Sequence, residues 1–164
     1  MAFILREPTL PDAPRIAELH VATWREAYSH LLPEGFFTAE HVQGRLLMWN
    51  QILGNPRPGW TIRIAEHNAR VVGFGFAGAS YGAEGQDLPR DRHLFSLYVA
   101  AEHQGTGAGQ ALLDAALGGG PAMLWVAKDN PRAVAFYRRN GFAFDGTEQT
   151  DPGAPRIIDA RTVR

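Results

Sequence analysis

Two segments of this chain combine residue types and spacings that suit chemistry on a ligand. Gln104-Gly105-Thr106-Gly107-Ala108-Gly109 lies between an apolar strand-like run and an alanine-rich helical one. Backbone N–H groups in such a loop, at the positive end of a helix, favour an anion such as a phosphate. Further on, Asn130-Pro131-Arg132-Ala133 opens a helix and Phe136-Tyr137 places a phenol one or two turns beyond the capping asparagine. A third pattern, Gly78-Ala79-Ser80-Tyr81-Gly82, matches the GxSxG nucleophile elbow, with Asp87 or Asp91 and then His93 or His103 following in the order that hydrolases use. The chain has no cysteine, which removes thiol catalysis and thiolate metal sites, and its six histidines show no metal-ligand spacing. No metal is expected.

The glycine run has a competing reading as a dinucleotide fingerprint. Gly105 and Gly107 are correctly spaced, and Asp129 falls where a ribose-binding acid would. Gln110 stands where the third, helix-packing glycine belongs, and the residues after Asp129 are too few for the rest of a doubly wound domain. The elbow reading requires a helix directly after Ser80, whereas Ala83-Glu84-Gly85-Gln86 leads into Pro89. A serine hydrolase using Ser80 is therefore the weaker alternative.

The elements that must position these residues follow from periodicity. Phe3 to Arg6 reads as a short strand, and Thr9 with Asp12 as a capping-box start to a helix whose stripe is Ile16, Leu19, Thr23, Trp24 and Ala27. A second helix is expected over Glu34 to Leu53, before Asn55-Pro56-Arg57-Pro58-Gly59 breaks the chain. Trp60 to Glu66 and Arg70 to Ala77 alternate as a hairpin, and Gly78 to Arg92 forms a long polar loop. His93 to Val99 returns as a strand, Ala108 to Leu117 as a helix and Met123 to Ala127 as a buried strand. Gly141 ends the helix that Asn130 caps, and Phe142 to Phe144 and Ile157 to Val163 close the sheet. Strand–helix–strand from His93 to Ala127 is a βαβ unit, so that pair should be parallel. The fold class is α/β: a central mixed sheet with helices on both faces, in a single domain over residues 1–164.

Composition bounds the rest. With 164 residues, 45% hydrophobic and 20% charged, the chain can bury a core without staples. A net charge of −1 with interspersed signs argues against nucleic acid as a partner. No apolar run approaches the ~20 residues of a membrane span. The N-terminal residues do not resemble a secretory leader, so a cytoplasmic location is expected.

The glycine run fits the pattern Gln/Arg-x-x-Gly-x-Gly/Ala, and Asn130 with Phe136-Tyr137 through Gly141-Phe142 fits the segment that follows it. Here the chain resembles the GNAT superfamily of acyl-CoA-dependent N-acetyltransferases. Thr9-x-Pro-Asp-Ala-Pro, Leu19-His20-x-x-x-Trp24, Tyr28 and Leu32-Pro33 are similar to the N-terminal helices of one common bacterial branch. Val71-Val72-Gly73-Phe74 and Leu97-Tyr98-Val99 resemble its central strands. The resemblance covers nearly the whole chain, with the motifs in order.

The resemblance implies that acetyl-CoA is the cosubstrate and that an amine, on a small molecule or a peptide, is the acceptor. It implies an α/β (α+β) fold with a mostly antiparallel sheet whose parallel pair splays between the strands ending near Val99 and Val126, with pantetheine lying along Leu97, Tyr98 and Val99. Gln104, Gly105, Thr106, Gly107, Ala108 and Gly109 would cradle the pyrophosphate, and Asn130, Ala133 and Phe136 would line the arm. An N–H of Tyr98 or Val99 would hold the oxyanion, and Tyr137 would protonate the leaving thiolate. A phenol of pKa ~10 can donate to a thiol of ~8.5. Relatives often carry an acidic base at or near the position of His93; here His93, Glu66, a water relay or an already neutral amine stay open. Trp24, Tyr28 and Tyr81 would line the acceptor pocket. Relatives are often homodimers, and a non-catalytic acyl-CoA-binding module is a further alternative.

Overall fold

The computed structural model describes residues 2–164. In chain order its main elements are β1 (Ile4–Arg6), α1 (Ala13–Tyr28), α2 (Ala39–Gly54), β2 (Thr61–His67), β3 (Arg70–Ala79) and β4 (Arg92–Val99). Then come α3 (Ala108–Leu117), β5 (Met123–Ala127), α4 (Pro131–Arg139), β6 (Ala143–Asp151) and β7 (Ala154–Val163). The strands form one sheet in the order β1-β2-β3-β4-β5-β7-β6. Among the described residues β4 and β5 run parallel and the other neighbouring pairs are antiparallel. This is the mixed sheet that the periodicity implies, and its mostly antiparallel pairing is that of the resemblance.

Helices cover both faces. Ile16 and Leu19 of α1 pack with Trp49 of α2 onto Ile62, Ile64, Phe74 and Phe76 of the sheet. On the opposite face, Leu113 and Ala116 of α3 and Tyr137 of α4 pack onto Leu94, Leu124 and Val126. Close docking of α3 depends on Gly73. A Cβ there would stand 2.9 Å from Leu112 Cδ1 and 3.0 Å from the Tyr98 carbonyl oxygen, so a side chain would crowd both the Leu112 tip and the backbone of β4.

Three boundaries differ from the sequence expectation. α2 begins at Ala39 rather than Glu34, because Thr38 caps it, its Oγ1 accepting from the His41 N–H at 3.1 Å. β3 and β4 extend into the polar loop by hydrogen bonding, leaving residues 80–91 as the connection. The closing strands form a long hairpin instead of two short segments. β6 is exposed along nearly its whole length, so it carries no apolar alternation to betray it.

Candidate functional site

The site is made where β4 and β5 part. Their pairing consists of His93 opposite Met123 and Leu94 opposite Leu124, and stops there. Beyond it the two strands enclose a cleft of about 870 Å³.

Hydrogen-bond phase decides what faces this gap. The Ala100 N–H donates to the Val72 carbonyl at 2.8 Å. Phe74 and Tyr98 are therefore a hydrogen-bonded pair, while Gly73–Val99 and Gly75–Leu97 are not. The N–H and C=O groups of Leu97 and Val99 thus turn away from β3, into the gap. Tyr98 commits its N–H to β3, so of the two oxyanion donors expected, Val99 alone is directed at the cleft. Its carbonyl already accepts from Gln104 Nε2 at 3.1 Å. On the other wall, Ala122 and Arg164 exchange bonds of 3.1 and 2.9 Å, and Lys128 N–H donates to Ile158 at 2.9 Å. That phase turns Trp125 and Ala127 toward β4.

Toward the α3 and α4 face, the glycine run opens α3. Gly105 and Gly107 have φ of +76° and +95°, in the left-handed region that side chains strain to adopt, and Gly107 is the helix N-cap. Gln104, Gly105, Gly107 and Gly109 line the cleft, as do Ala133, Phe136, Tyr137 and Asn130. Two expected members do not: Thr106 donates its hydroxyl to the His103 carbonyl, and Ala108 is buried. Arg132, which sequence reasoning passed over, brings Nη2 to 3.9 Å from where a Gly105 Cβ would lie. Its signal was its position directly after Asn130-Pro131.

Asn130 caps α4, its Oδ1 accepting from the Ala133 N–H at 3.1 Å, and its Nδ2 donates to Tyr28 Oη at 3.2 Å. It thereby ties the two faces together across the cleft. The Tyr137 ring is buried against Phe136 and Phe142, with centroids at 5.2 and 5.8 Å. Burial, then the neighbouring Tyr98 and Tyr28, push its hydroxyl above the ordinary phenol range, so it stays protonated.

Toward the α1 face, Trp24 Nε1 donates to Tyr98 Oη at 2.9 Å, and the Trp24 and Tyr28 rings meet edge to face at 5.0 Å. Both rings line the cleft, together with Glu26 and Asp159. Asp159 went unnoticed in the sequence because a lone carboxylate in a closing strand reads as solvent-facing.

The remaining expected residues lie elsewhere. His93 stands at the closed end, where β4 still bonds to β5, and does not line the cleft. Its ring is buried beside Phe95 and Tyr81 at centroid distances of 4.7 and 6.1 Å, and burial lowers its pKa to about 4. Tyr81 is 71% exposed and likewise outside the cleft. Glu66 is occupied by Arg6 at 2.9 Å. Ser80 begins a loop rather than a helix and its Oγ is buried without a partner, so the strand–turn–helix of a nucleophile elbow is not formed. Among the described residues no three His, Asp or Glu side chains gather as a metal site, and no helix is long and apolar enough to cross a membrane.

The model of the Acetyltransferase (GNAT) family matches residues 15–142. A probable N-acetyltransferase of Mycobacterium tuberculosis is 28% identical over 141 residues, covering 82% of this chain and 76% of the relative. The mycothiol acetyltransferase of Kocuria rhizophila is 31% identical over 150 residues, covering 83% of this chain and 48% of that longer protein. Among solved structures, the PaiA N-acetyltransferase of Thermoplasma acidophilum in complex with coenzyme A superposes with a TM-score of 0.69 at 17% identity, covering 98% of each chain.

Proposed function

The chain belongs to the GNAT acetyltransferase family, and on that premise we propose that it transfers an acetyl group from acetyl-CoA to an amine nitrogen by direct attack in a ternary complex. The observation that carries this reading is the gap between β4 and β5, with left-handed glycines opening α3 at one end and Tyr137 among the residues that line it. The backbone N–H groups of Gly105, Gly107 and Gly109 would seat the pyrophosphate, with Arg132 beside them as a further cation. Pantetheine would add to the open edge of β4, bonding the free N–H and C=O groups of Leu97 and the N–H of Val99. Asn130, Ala133 and Phe136 would flank the arm.

In the transfer, the nitrogen lone pair attacks the thioester carbon and the Val99 N–H stabilises the oxyanion. The C–S bond then breaks, and Tyr137 gives its proton to the leaving sulfur. Burial keeps the tyrosine protonated at neutral pH, so its proton is in place when the sulfur leaves. Trp24 and Tyr28 would wall the acceptor side. A cytoplasmic location would give the protein access to acetyl-CoA.

The test is direct. Acetyl-CoA should raise the melting temperature by mass action on the folded state, and NAD should not. A screen of amines with acetyl-CoA should then release thiol. A coenzyme-dependent stabilisation with no transfer to any amine would favour a binding module, and labelling of Ser80 by a serine-directed reagent would revive the hydrolase.

A further inference from the structure

The cleft carries opposite charge at its two ends. Arg132 and Arg139 of α4 line it on one side of the sheet, and Glu26 and Asp159 line it toward the other. Cross-strand neighbours share a face of the sheet. Asp159 stands opposite Ala127, and Ala127 packs with Tyr28 and Ile157 under α1. The carboxyl is therefore on the Trp24 and Tyr28 side, across the gap from the glycine loop. The charged or titratable groups acting on it are Tyr28 of α1, Tyr98 of β4 and Asp151 of β6, none of them a cation. Burial and Asp151 together raise its pKa, and no basic side chain among the described residues offsets them. A part-buried carboxylate without a counter-ion is destabilising by itself. Aromatic faces beside it favour a cation as the missing partner.

Resting on the acetyl-transfer reading, we propose that Asp159 receives the acceptor as an ammonium ion, so that the acceptor is an alkylamine charged at neutral pH. Asp159 then takes the proton that frees the nitrogen lone pair. The nitrogen loses two protons in all. One passes to Asp159 before attack and on to solvent. As the tetrahedral adduct collapses the sulfur takes the Tyr137 proton, and the second proton of the nitrogen passes through water to reload Tyr137. The balance is one ammonium and one thioester giving one amide, one thiol and one proton.

The test compares Asp159→Asn and Asp159→Glu with the wild type, reading thiol release from acetyl-CoA with butylamine, phenethylamine and aniline. Aniline is uncharged at neutral pH and needs no anion to receive it. Asp159→Asn should lower kcat/KM for the alkylamines by about 100-fold, the lower end of general-base effects, and for aniline by less than about threefold. Asp159→Glu should recover part of the loss. The KM for acetyl-CoA should not move, and the Asn variant should melt at or above the wild-type temperature because an uncompensated charge is gone. Equal losses on both acceptor classes, unchanged alkylamine turnover, or a wild type that uses aniline but no alkylamine would overturn the assignment and leave acetyl transfer standing. A wild type that binds acetyl-CoA but acetylates none of the three overturns it too, leaving only coenzyme binding. Failure to bind acetyl-CoA at all refutes the transfer reading, and this one with it.

Discussion

Replacing Tyr137 by Phe separates chemistry from packing more cleanly than any other change in this protein. The ring is 9% exposed and packs edge to face on Phe136 and Phe142, and Phe keeps every one of those contacts. Among the described residues none hydrogen-bonds the phenol, and burial dominates its shifted pKa. Loss of the hydroxyl should therefore change stability by no more than about 0.5 kcal/mol. Tyr137→Ala, by contrast, should cost about 3–5 kcal/mol for the cavity it leaves. At roughly 2–4 °C per kcal/mol for a chain of this size, that lowers Tm by about 6–20 °C. If Tyr137 is the acid that loads the thiolate, the Phe variant loses a general-acid contribution of about 10²–10⁴ in kcat, or roughly 2.7–5.4 kcal/mol of barrier. The assay is thiol release under saturating acetyl-CoA and amine, with coenzyme binding and Tm measured on the same preparation. Expected are a Tm within about 2 °C of wild type, unchanged acetyl-CoA affinity and a kcat down at least about 100-fold. A kcat within about threefold of wild type, with folding and binding intact, would refute the acid role.

Other outcomes follow from the same geometry. His20 and His93 are buried neutral, with pKa values lowered to about 3 and about 4 by burial. Below the unfolded value near 6.5 the unfolded chain binds protons that the folded chain refuses, so stability falls as pH drops, by about 2 kcal/mol per histidine at pH 5. Urea titrations at pH 7 and pH 5 measure this, and His93→Leu should remove about half of the difference. The carboxylates held low, Asp12 and Asp145, add their loss only in stronger acid, below 3.8. Ala69 sits in the hairpin turn at φ 59°. Ala69→Gly relieves a left-handed strain of about 1–2 kcal/mol against a glycine entropy cost of about 0.5–1, so Tm should rise slightly. Arg132→Ala should raise the KM for acetyl-CoA by up to about tenfold at low salt and by much less at high salt, with kcat unchanged.

What the sequence by itself determined is local. A left-handed glycine before a helix, an asparagine that bonds the N–H of the third helical residue and a buried aromatic two turns later are set by φ signs, capping geometry and a 3.6-residue period. Gly105, Gly107, Asn130 and Tyr137 were legible for that reason. Only the tertiary structure decided where the cleft opens. His93 and Val99 share one strand, yet β4 and β5 are still bonded at His93 and have separated by Val99, which puts one residue at the closed end and the other in the gap. Backbone phase, set by pairing with β3, chose Val99 over Tyr98 as the N–H that faces it. Asp159 reaches the site because β7 inserts between β5 and β6, a pairing of strands distant in sequence. Such contacts depend on which side chains fill the two faces of the sheet together, and no local spacing encodes that.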